Sequence, residues 1–300
     1  MSGARDTSQP VDQSTCTTLV PRDVQPAMAR SWLLVPALDD DAIARACDSQ
    51  ADVVVLDVED GVRSSLKEQA RYTAMSWMLR TQVWIRINDA ATDFWHQDVS
   101  LLGAAEHVCG VILAKTETAT QAEATIHELP LGAHVVPLIE SAMGIENAEA
   151  IAQVAGVTRL AFGSGDYRRD TGVGASPLAL AYPRARLVHA SRLAGLPAPI
   201  DGPTLSSDTA HIHEATLHTA EMGMSGKLCL ATNHASTINN ALTPQREEID
   251  WATTFIGRVG SDGARIVDGS DRPRLARAIA IMAKADAFGL THHGSLANHA

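Results

Sequence analysis

The run "VVVLDVEDGV" at residues 53–62 begins as an apolar, mostly β-branched segment and ends with three carboxylates in four positions, Asp57, Glu59 and Asp60. The same change of character recurs along the chain, where apolar runs end in Arg86 and Asn88, in Lys115 and Glu117, in Glu140 and in Asp166. Side chains of a strand alternate between faces, so Asp57 and Glu59 share one face while Asp60 points the other way or begins the turn. Two carboxylates a few ångströms apart repel and need a cation. Arg86, Lys115 or a divalent metal could supply it. With Glu140 and Asp166 added the donors are all oxygen, the set preferred by Mg2+ with retained waters. A single acidic residue at a strand end is more often a helix cap or a solvated loop residue, and Asp60 or Ser64 could cap a helix starting near residue 65. Five runs that all finish in charge at the same end point instead to one shared rim.

Eight β-rich runs carry or accompany these groups, at 31–37, 52–60, 82–88, 110–116, 134–140, 159–166, 198–202 and 226–231. Stretches of helical period lie between them at 39–49, 64–80, 118–128, 142–155, 177–194 and 208–222, with none assigned after the third run. Such alternation is the sequence form of repeated βα units on a parallel sheet. Eight units, and no Gly-rich dinucleotide turn after the first strand, predict an α/β fold of the (β/α)8 TIM-barrel type, whose reacting groups come from the carboxyl ends of the strands. The expected barrel is residues 30–242. Helices at 243–257 and 272–288 make a C-terminal extension, 243–290, that reaches the barrel or a neighbouring subunit. Residues 1–29 and 291–300 read as disordered tails.

Composition narrows the partners. The 300 residues are 45% hydrophobic but only 4% aromatic, which suits aliphatic helices packed on parallel strands. A net charge of -11 argues against a nucleic-acid surface and for small-molecule partners. The four cysteines form no CxxC pair, so neither a zinc site nor a disulfide framework is expected. No stretch approaches the ~20 apolar residues of a membrane span, and the first residues lack a signal-peptide core. A soluble, cytoplasmic protein is expected.

Other patterns carry less. "HEATLH" at 213–218 resembles a zinc motif, but its histidines are five apart and cannot share a metal as i, i+4 residues do. "GMSGKL" has the Gly-Lys of a phosphate loop with Glu221 in place of the first glycine. "GVG" at 172–174 is too short to argue from, and Ser164 in "FGSGD" has no demonstrated base for a hydrolase triad.

The ordered set "RSWLLVPA", "ADVVVLDVEDGV", "WIRIN", "VILAKTE", "PLIESAMGI", "LAFGSGDYRRDTG", "IDGP", "GKLCL" and "LTPQREEIDWA", over residues 30–288, resembles the citrate lyase beta subunit-like proteins of the HpcH/HpaI aldolase superfamily. The resemblance implies a Mg2+-dependent TIM-barrel lyase, usually a homotrimer, that cleaves or forms a carbon-carbon bond in a β-hydroxyacyl-CoA such as citramalyl-, malyl- or citryl-CoA. It puts the metal ligands on Glu140 and Asp166, the holders of metal-bound water on Glu59 and Asp60, and the catalytic arginine on Arg86. Related 2-oxo acid aldolases carry a histidine where Asp60 sits. An aspartate lent by the neighbouring subunit falls on Asp268 of "RIVDG", with Asp271 of "DRP" an equal match to the second half of the pattern. The reaction implied is a retro-Claisen cleavage releasing a 2-oxo acid and an acyl-CoA. The alternatives are an aldolase acting on free 4-hydroxy-2-oxo acids, a malyl-type thioesterase, or a non-catalytic scaffold subunit.

Three segments depart from the family pattern. After strand one a "PG" with a basic residue that approaches the CoA phosphates is usual, whereas this chain has "PALDDDAI". Strand eight runs into "ATNHAS" in place of "HPxQ", and strand four has "AK" in place of "PK". The metal core is thus intact and the acyl-carrier loop altered.

Overall fold

The computed structural model describes residues 24–291. Eight parallel strands close on themselves in sequence order: β1 (Ser31–Pro36), β2 (Val53–Asp57), β3 (Trp84–Ile87), β4 (Gly110–Leu113), β5 (His134–Ile139), β6 (Ala161–Phe162), β7 (Ile200–Asp201) and β8 (Gly226–Cys229). The connecting helices are α1 (Asp40–Cys47), α2 (Lys67–Met78), α3 (Asp93–Gly103), α4 (Ala119–Glu128), α5 (Ala142–Glu146), α6 (Ala148–Ala152), α7 (Ser164–Thr171), α8 (Ala181–Leu193) and α9 (Thr209–Glu221). After β8, α10 (Thr232–Leu242) completes the ring, and α11 (Arg246–Val259) and α12 (Asp271–Ala287) pack on each other around Phe255, Val259, Leu275 and Ile281. The closed barrel is the (β/α)8 TIM barrel that the alternation predicts.

Strand alternation decides what fills the interior. Trp32, Leu34, Val53, Val55, Trp84, Ile112, Val136, Leu138, Ala161, Ile200 and Leu228 form one buried cluster. Their neighbours Leu33, Val54, Leu56, Ile85, Val111 and Val135 belong to a second cluster together with buried residues of the helices. Two-residue periodicity carried upward from the inner set reaches Asp57, Arg86 and Glu140. The charged groups are therefore the uppermost layer of the barrel's own filling.

Aromatic and charged side chains gather at the opposite mouth. Trp32 and Trp84 meet edge to face at 4.9 Å, and Trp84 stacks on His134 at 5.9 Å. Arg159, fully buried, donates to Ala198 O at 2.7 Å, Pro26 O at 3.0 Å, Ala29 O at 2.8 Å and Ser225 Oγ at 2.9 Å. Burial lowers its pKa to about 9. Residues 24–29 are thus packed onto the barrel although the sequence assigns them to a tail, while 1–23 and 292–300 lie outside the described residues.

Several boundaries differ from the sequence expectation. The gap after β3 holds α3, capped by Thr92 and burying Trp95, Val99 and Leu102. The residues after β8 form α10 despite their Asn, Thr and Ser content, because His234, Ala235, Ile238, Asn239 and Leu242 line one buried face. Run 142–155 is two short helices meeting at Asn147. Run 159–166 is strand only at Ala161–Phe162, so Asp166 stands in the first turn of α7. No helix among the described residues is long and apolar enough to cross a membrane.

Strands β6 and β7 are two residues each, and side chains reinforce the closure there. Asp201 accepts from Arg184 Nε at 2.9 Å, Lys227 Nζ at 3.0 Å and Thr219 Oγ1 at 2.6 Å, joining β7 to β8, α8 and α9. Burial would raise its pKa, but Lys227 and Arg184 outweigh that and hold it at about 2, below the ordinary 3.8. Replacing Asp201 by Asn leaves two buried cations without their anion and should cost about 3–5 kcal/mol at pH 7, read by urea denaturation. A carboxyl whose folded pKa is depressed stabilises the fold above its unfolded pKa and loses that contribution as pH falls through the folded value. The gap between parent and variant should accordingly shrink between about pH 4 and pH 2. Equal stability at pH 7 would show that this network does not hold the barrel closed.

Candidate active site at the carboxyl rim

Asp57 organises the β2 end without being free itself. Its Oδ1 accepts from Glu59 N at 2.9 Å and from Arg86 Nε at 2.8 Å, and its Oδ2 from Gly61 N at 2.9 Å and from Arg86 Nη2 at 2.6 Å. Both oxygens are committed, so Asp57 is a buckle between β2 and β3. Gly61 is required by this turn, since a Cβ there would strike the Asp57 carboxylate.

Glu59 and Asp60 are gripped by cations from the next two strands. Arg86 Nη1 lies 3.3 Å from Glu59 Oε2, while Lys115 Nζ donates to Glu59 Oε1 and, at 2.9 Å, to Asp60 Oδ2. Asp60 N also donates to Glu59 Oε2 at 2.7 Å. Burial raises the Glu59 pKa against the pull of Arg86 and Lys115. Burial acts the same way on Asp60, but there Lys115 prevails and the pKa is lowered. Burial disfavours the Arg86 charge, yet Asp57, Glu59 and Glu140 outweigh it and hold the guanidinium above its ordinary pKa.

Behind this layer, buried Lys67 donates to Val58 O and Glu59 O, both at 3.0 Å, and to Asn88 Oδ1 at 2.7 Å. Asn88 Nδ2 donates to Asp98 Oδ2 at 2.6 Å, and Asp98 pairs with Arg71. Asn88, read from sequence as a rim group, is thus a strut 4% exposed. Lys67 and Asp98 were not singled out by the sequence. Lys67 lies in a helix start that looks like any solvated turn, and Asp98 in a helix left unassigned.

Glu140 follows β5 and is 5% exposed. Its Oε1 accepts from Lys115 N at 2.8 Å, and its carboxylate lies over Gly163, where any Cβ would collide with it. Burial, reinforced by the charges of Asp166 and Glu59, pushes its pKa up to about 8 despite Lys115 N–H and Arg86. Asp166, in the first turn of α7, is near enough for its charge to act on Glu140, and Arg169 Nη1 lies 3.1 Å from its Oδ1. Glu117 accepts the Ser141 hydroxyl at 2.5 Å and so fixes the residue after Glu140. Glu140 and Asp166 are the pair that could hold a metal. Among the described residues no group of three or more His, Cys, Asp or Glu side chains is arranged to ligate an ion. Two carboxylates without a third side-chain ligand suit a hard ion that keeps most of its water, as Mg2+ does, and do not suit zinc.

Lys115 takes part in both halves of this site. Its φ of 49° is the one left-handed value at a non-glycine position among the described residues, a conformation costing about 1–2 kcal/mol. The extension behaves differently. Asp268 is exposed, and hydrogen bonding to Ser270 lowers its pKa; its partners Ser270 and Arg274 are extension residues, none of them on the rim. Asp271 is 7% exposed and tied to Arg258 Nη2 at 3.1 Å. In the acidic turn after β1, Asp39 caps α1 by accepting from Asp41 N and Ala42 N, and Asp40 accepts from Trp77 Nε1 at 2.7 Å.

A closed parallel barrel with charged groups gathered at the carboxyl ends of its strands defines a TIM-barrel enzyme. The chain belongs to the HpcH/HpaI aldolase/citrate lyase family, whose model matches residues 30–232, while the HpcH/HpaI aldolase C-terminal domain matches 247–289; it is a lyase. It is 27% identical over 274 residues to the citrate lyase subunit beta-like protein of Deinococcus radiodurans, covering 84% of this chain and 96% of that protein. Human mitochondrial citramalyl-CoA lyase is 25% identical over 254 residues, 76% of this chain and 74% of that one. Among solved structures, the protein CitE from Mycobacterium tuberculosis in complex with magnesium, acetoacetate and coenzyme A matches with a TM-score of 0.72 and 25% identity, over 87% of this chain and 99% of that one.

The close approach of Glu140 to Gly163 is directly testable. A methyl at 163 would fall 2.5 Å from Glu140 Cβ and into its carboxylate. Gly163→Ala should cost about 1–3 kcal/mol in urea denaturation, the range of an overpacked core position. A variant as stable as the parent would mean that Glu140 does not rest on this glycine.

Proposed function

We propose that the protein is a Mg2+-dependent carbon-carbon lyase that cleaves a β-hydroxyacyl-CoA of the citramalyl, malyl or citryl type into a 2-oxo acid and an acyl-CoA by retro-Claisen chemistry. The observation that carries this reading is the buried Glu140 carboxylate facing Asp166 at the barrel rim, with Arg86 and Lys115 close by. It draws further support from relatives that include a citramalyl-CoA lyase and a solved protein bound to magnesium, acetoacetate and coenzyme A.

Glu140 and Asp166 would hold the metal. When bound, Mg2+ would supply Lewis-acid polarisation of the substrate's hydroxyl, whose oxygen becomes the oxo oxygen of the 2-oxo acid product. Arg86, clamped by Asp57, presents a fixed positive charge where oxyanion character develops, and it needs no reorganisation to do so. Glu59 and Asp60 orient water and accept hydrogen bonds at the rim. Asp268 moves the proton, lent to the rim by a second copy of the chain in a homo-oligomer, a trimer in the family pattern. Asp268 fits this role better than Asp271, which is already held by Arg258.

A second reading is favoured by the turn after β1, where Asp39, Asp40 and Asp41 stand in place of a basic residue near the CoA phosphates. Under it the enzyme cleaves a free 4-hydroxy-2-oxo acid. Incubation with Mg2+ and citramalyl-, malyl- and citryl-CoA, then with free hydroxy-oxo acids, followed by mass spectrometry, separates the two. Thioester cleavage is expected, lost by at least about 10³-fold in Glu140→Ala and Asp166→Ala with circular dichroism unchanged. In the same assay, mixing Asp268→Ala chains with Arg86→Ala chains should restore part of the activity. Turnover of free acids alone would transfer the assignment to the second reading.

A further inference from the structure

We propose that Lys115 is a positioning residue with two separable duties. Its backbone N–H sets the carboxylate of Glu140, and its ammonium sets Glu59 and Asp60, so that one residue holds the metal-binding and the water-orienting sides of the rim in register. The geometry is over-determined. On one side Ala114 N donates to Ile87 O at 3.2 Å, and on the other Thr116 N donates to Leu138 O at 3.0 Å. Thr116 Oγ1 also donates back to Leu113 O at 2.9 Å. The chain is thus pinned to β3 before Lys115 and to β5 after it.

Between those two anchors the left-handed φ of 49° points the N–H at Glu140, 2.8 Å away, while the side chain crosses to Glu59 and Asp60. Rotating φ to the ordinary negative region with both anchors kept would turn one of these two donors away from its carboxylate. Glycine is the usual residue at such a φ. A lysine held there, with its ammonium on two rim carboxylates, indicates that the side chain is what the strain secures. The residue before it contributes too. Ala114 supplies an N–H for Ile87 O, beside Arg86, that a proline at this position could not donate.

The two duties predict different fates for one variant. Lys115→Gly keeps the N–H and accepts the left-handed φ without strain, but removes the ammonium. In calorimetry without substrate, Mg2+ should bind Lys115→Gly at least as tightly as the parent, because Glu140 keeps its donor and a nearby positive charge is gone. In hydrogen-exchange mass spectrometry of the same samples, amides of residues 58–62 should exchange at least about tenfold faster. The kinetic arm rests on the lyase reading: kcat should fall about 10²-fold or more with KM changed little, and Lys115→Arg should recover part of it.

Weakened Mg2+ binding in Lys115→Gly would overturn the division of duties, as would unchanged exchange at 58–62. Lys115→Met, which keeps the length of the side chain, carries the same comparison if the glycine loosens the loop. Mg2+ binding without turnover in the parent would count against the lyase reading alone, and the calorimetric and exchange arms would still decide the role of Lys115.

Discussion

Glu140 is the constraint around which the rim is arranged. A carboxyl placed at the top of a closed barrel, 5% exposed and beside Asp166, is disfavoured as an anion, and burial drives its pKa to about 8. Each neighbour answers part of that cost. Lys115 donates its backbone N–H, Arg86 brings positive charge from β3, and Gly163 leaves room for the carboxylate where any side chain would collide. Arg86 in turn is aimed by Asp57, which Glu59 N and Gly61 N hold in place. Removing any of these groups changes the surroundings of the others.

The same dependence explains why so much polar structure lies behind the rim. Loops that carry closely spaced carboxylates would spread apart by repulsion unless their backbones were fixed. Lys67 fixes Val58 and Glu59 through their carbonyls, and Asn88, itself held by Asp98, accepts from Lys67. At the far end of the barrel, Arg159 and the tryptophan pair gather beneath the strands. The two-residue strands β6 and β7 sit between the segments that deliver Glu140 and Asp166 and the buried network of Asp201, Arg184 and Lys227. Sheet pairing is thinnest there, and side-chain ion pairs substitute for it.

Much of this was legible in the sequence because strand alternation and the habit of apolar runs ending in charge are local. All eight strands and the shared rim of Asp57, Glu59, Asp60, Arg86, Lys115 and Glu140 follow from runs of about five residues, whereas the pairing of Glu140 with Asp166 comes from the family resemblance, since Asp166 stands in a helix turn and not at a strand end. What escaped depends on partners distant in the chain. Asn88 reads as a rim group until Lys67 and Asp98 are found around it, and helix α10 goes unassigned until its buried face appears. The aspartates of "PALDDDAI" read only as a departure from the family's basic loop, and the roles of Asp39 as a helix cap and Asp40 as a tether for Trp77 emerge only with the fold. The left-handed backbone of Lys115 left no trace in residue type, since lysine gives no sign of positive φ.

We propose that Glu140 and Asp166 would hold magnesium, and that burial keeps a proton on Glu140 near neutral pH while the metal is absent. A calorimetric Mg2+ titration between pH 6 and pH 9, in buffers of different ionisation enthalpy, tests it most directly. Burial pushes the Glu140 carboxyl up to about 8, so binding near pH 7 should release about one proton per ion. Affinity should rise about tenfold per pH unit below that value and level off above it. Affinity independent of pH, or binding that survives in Glu140→Ala, would contradict the account.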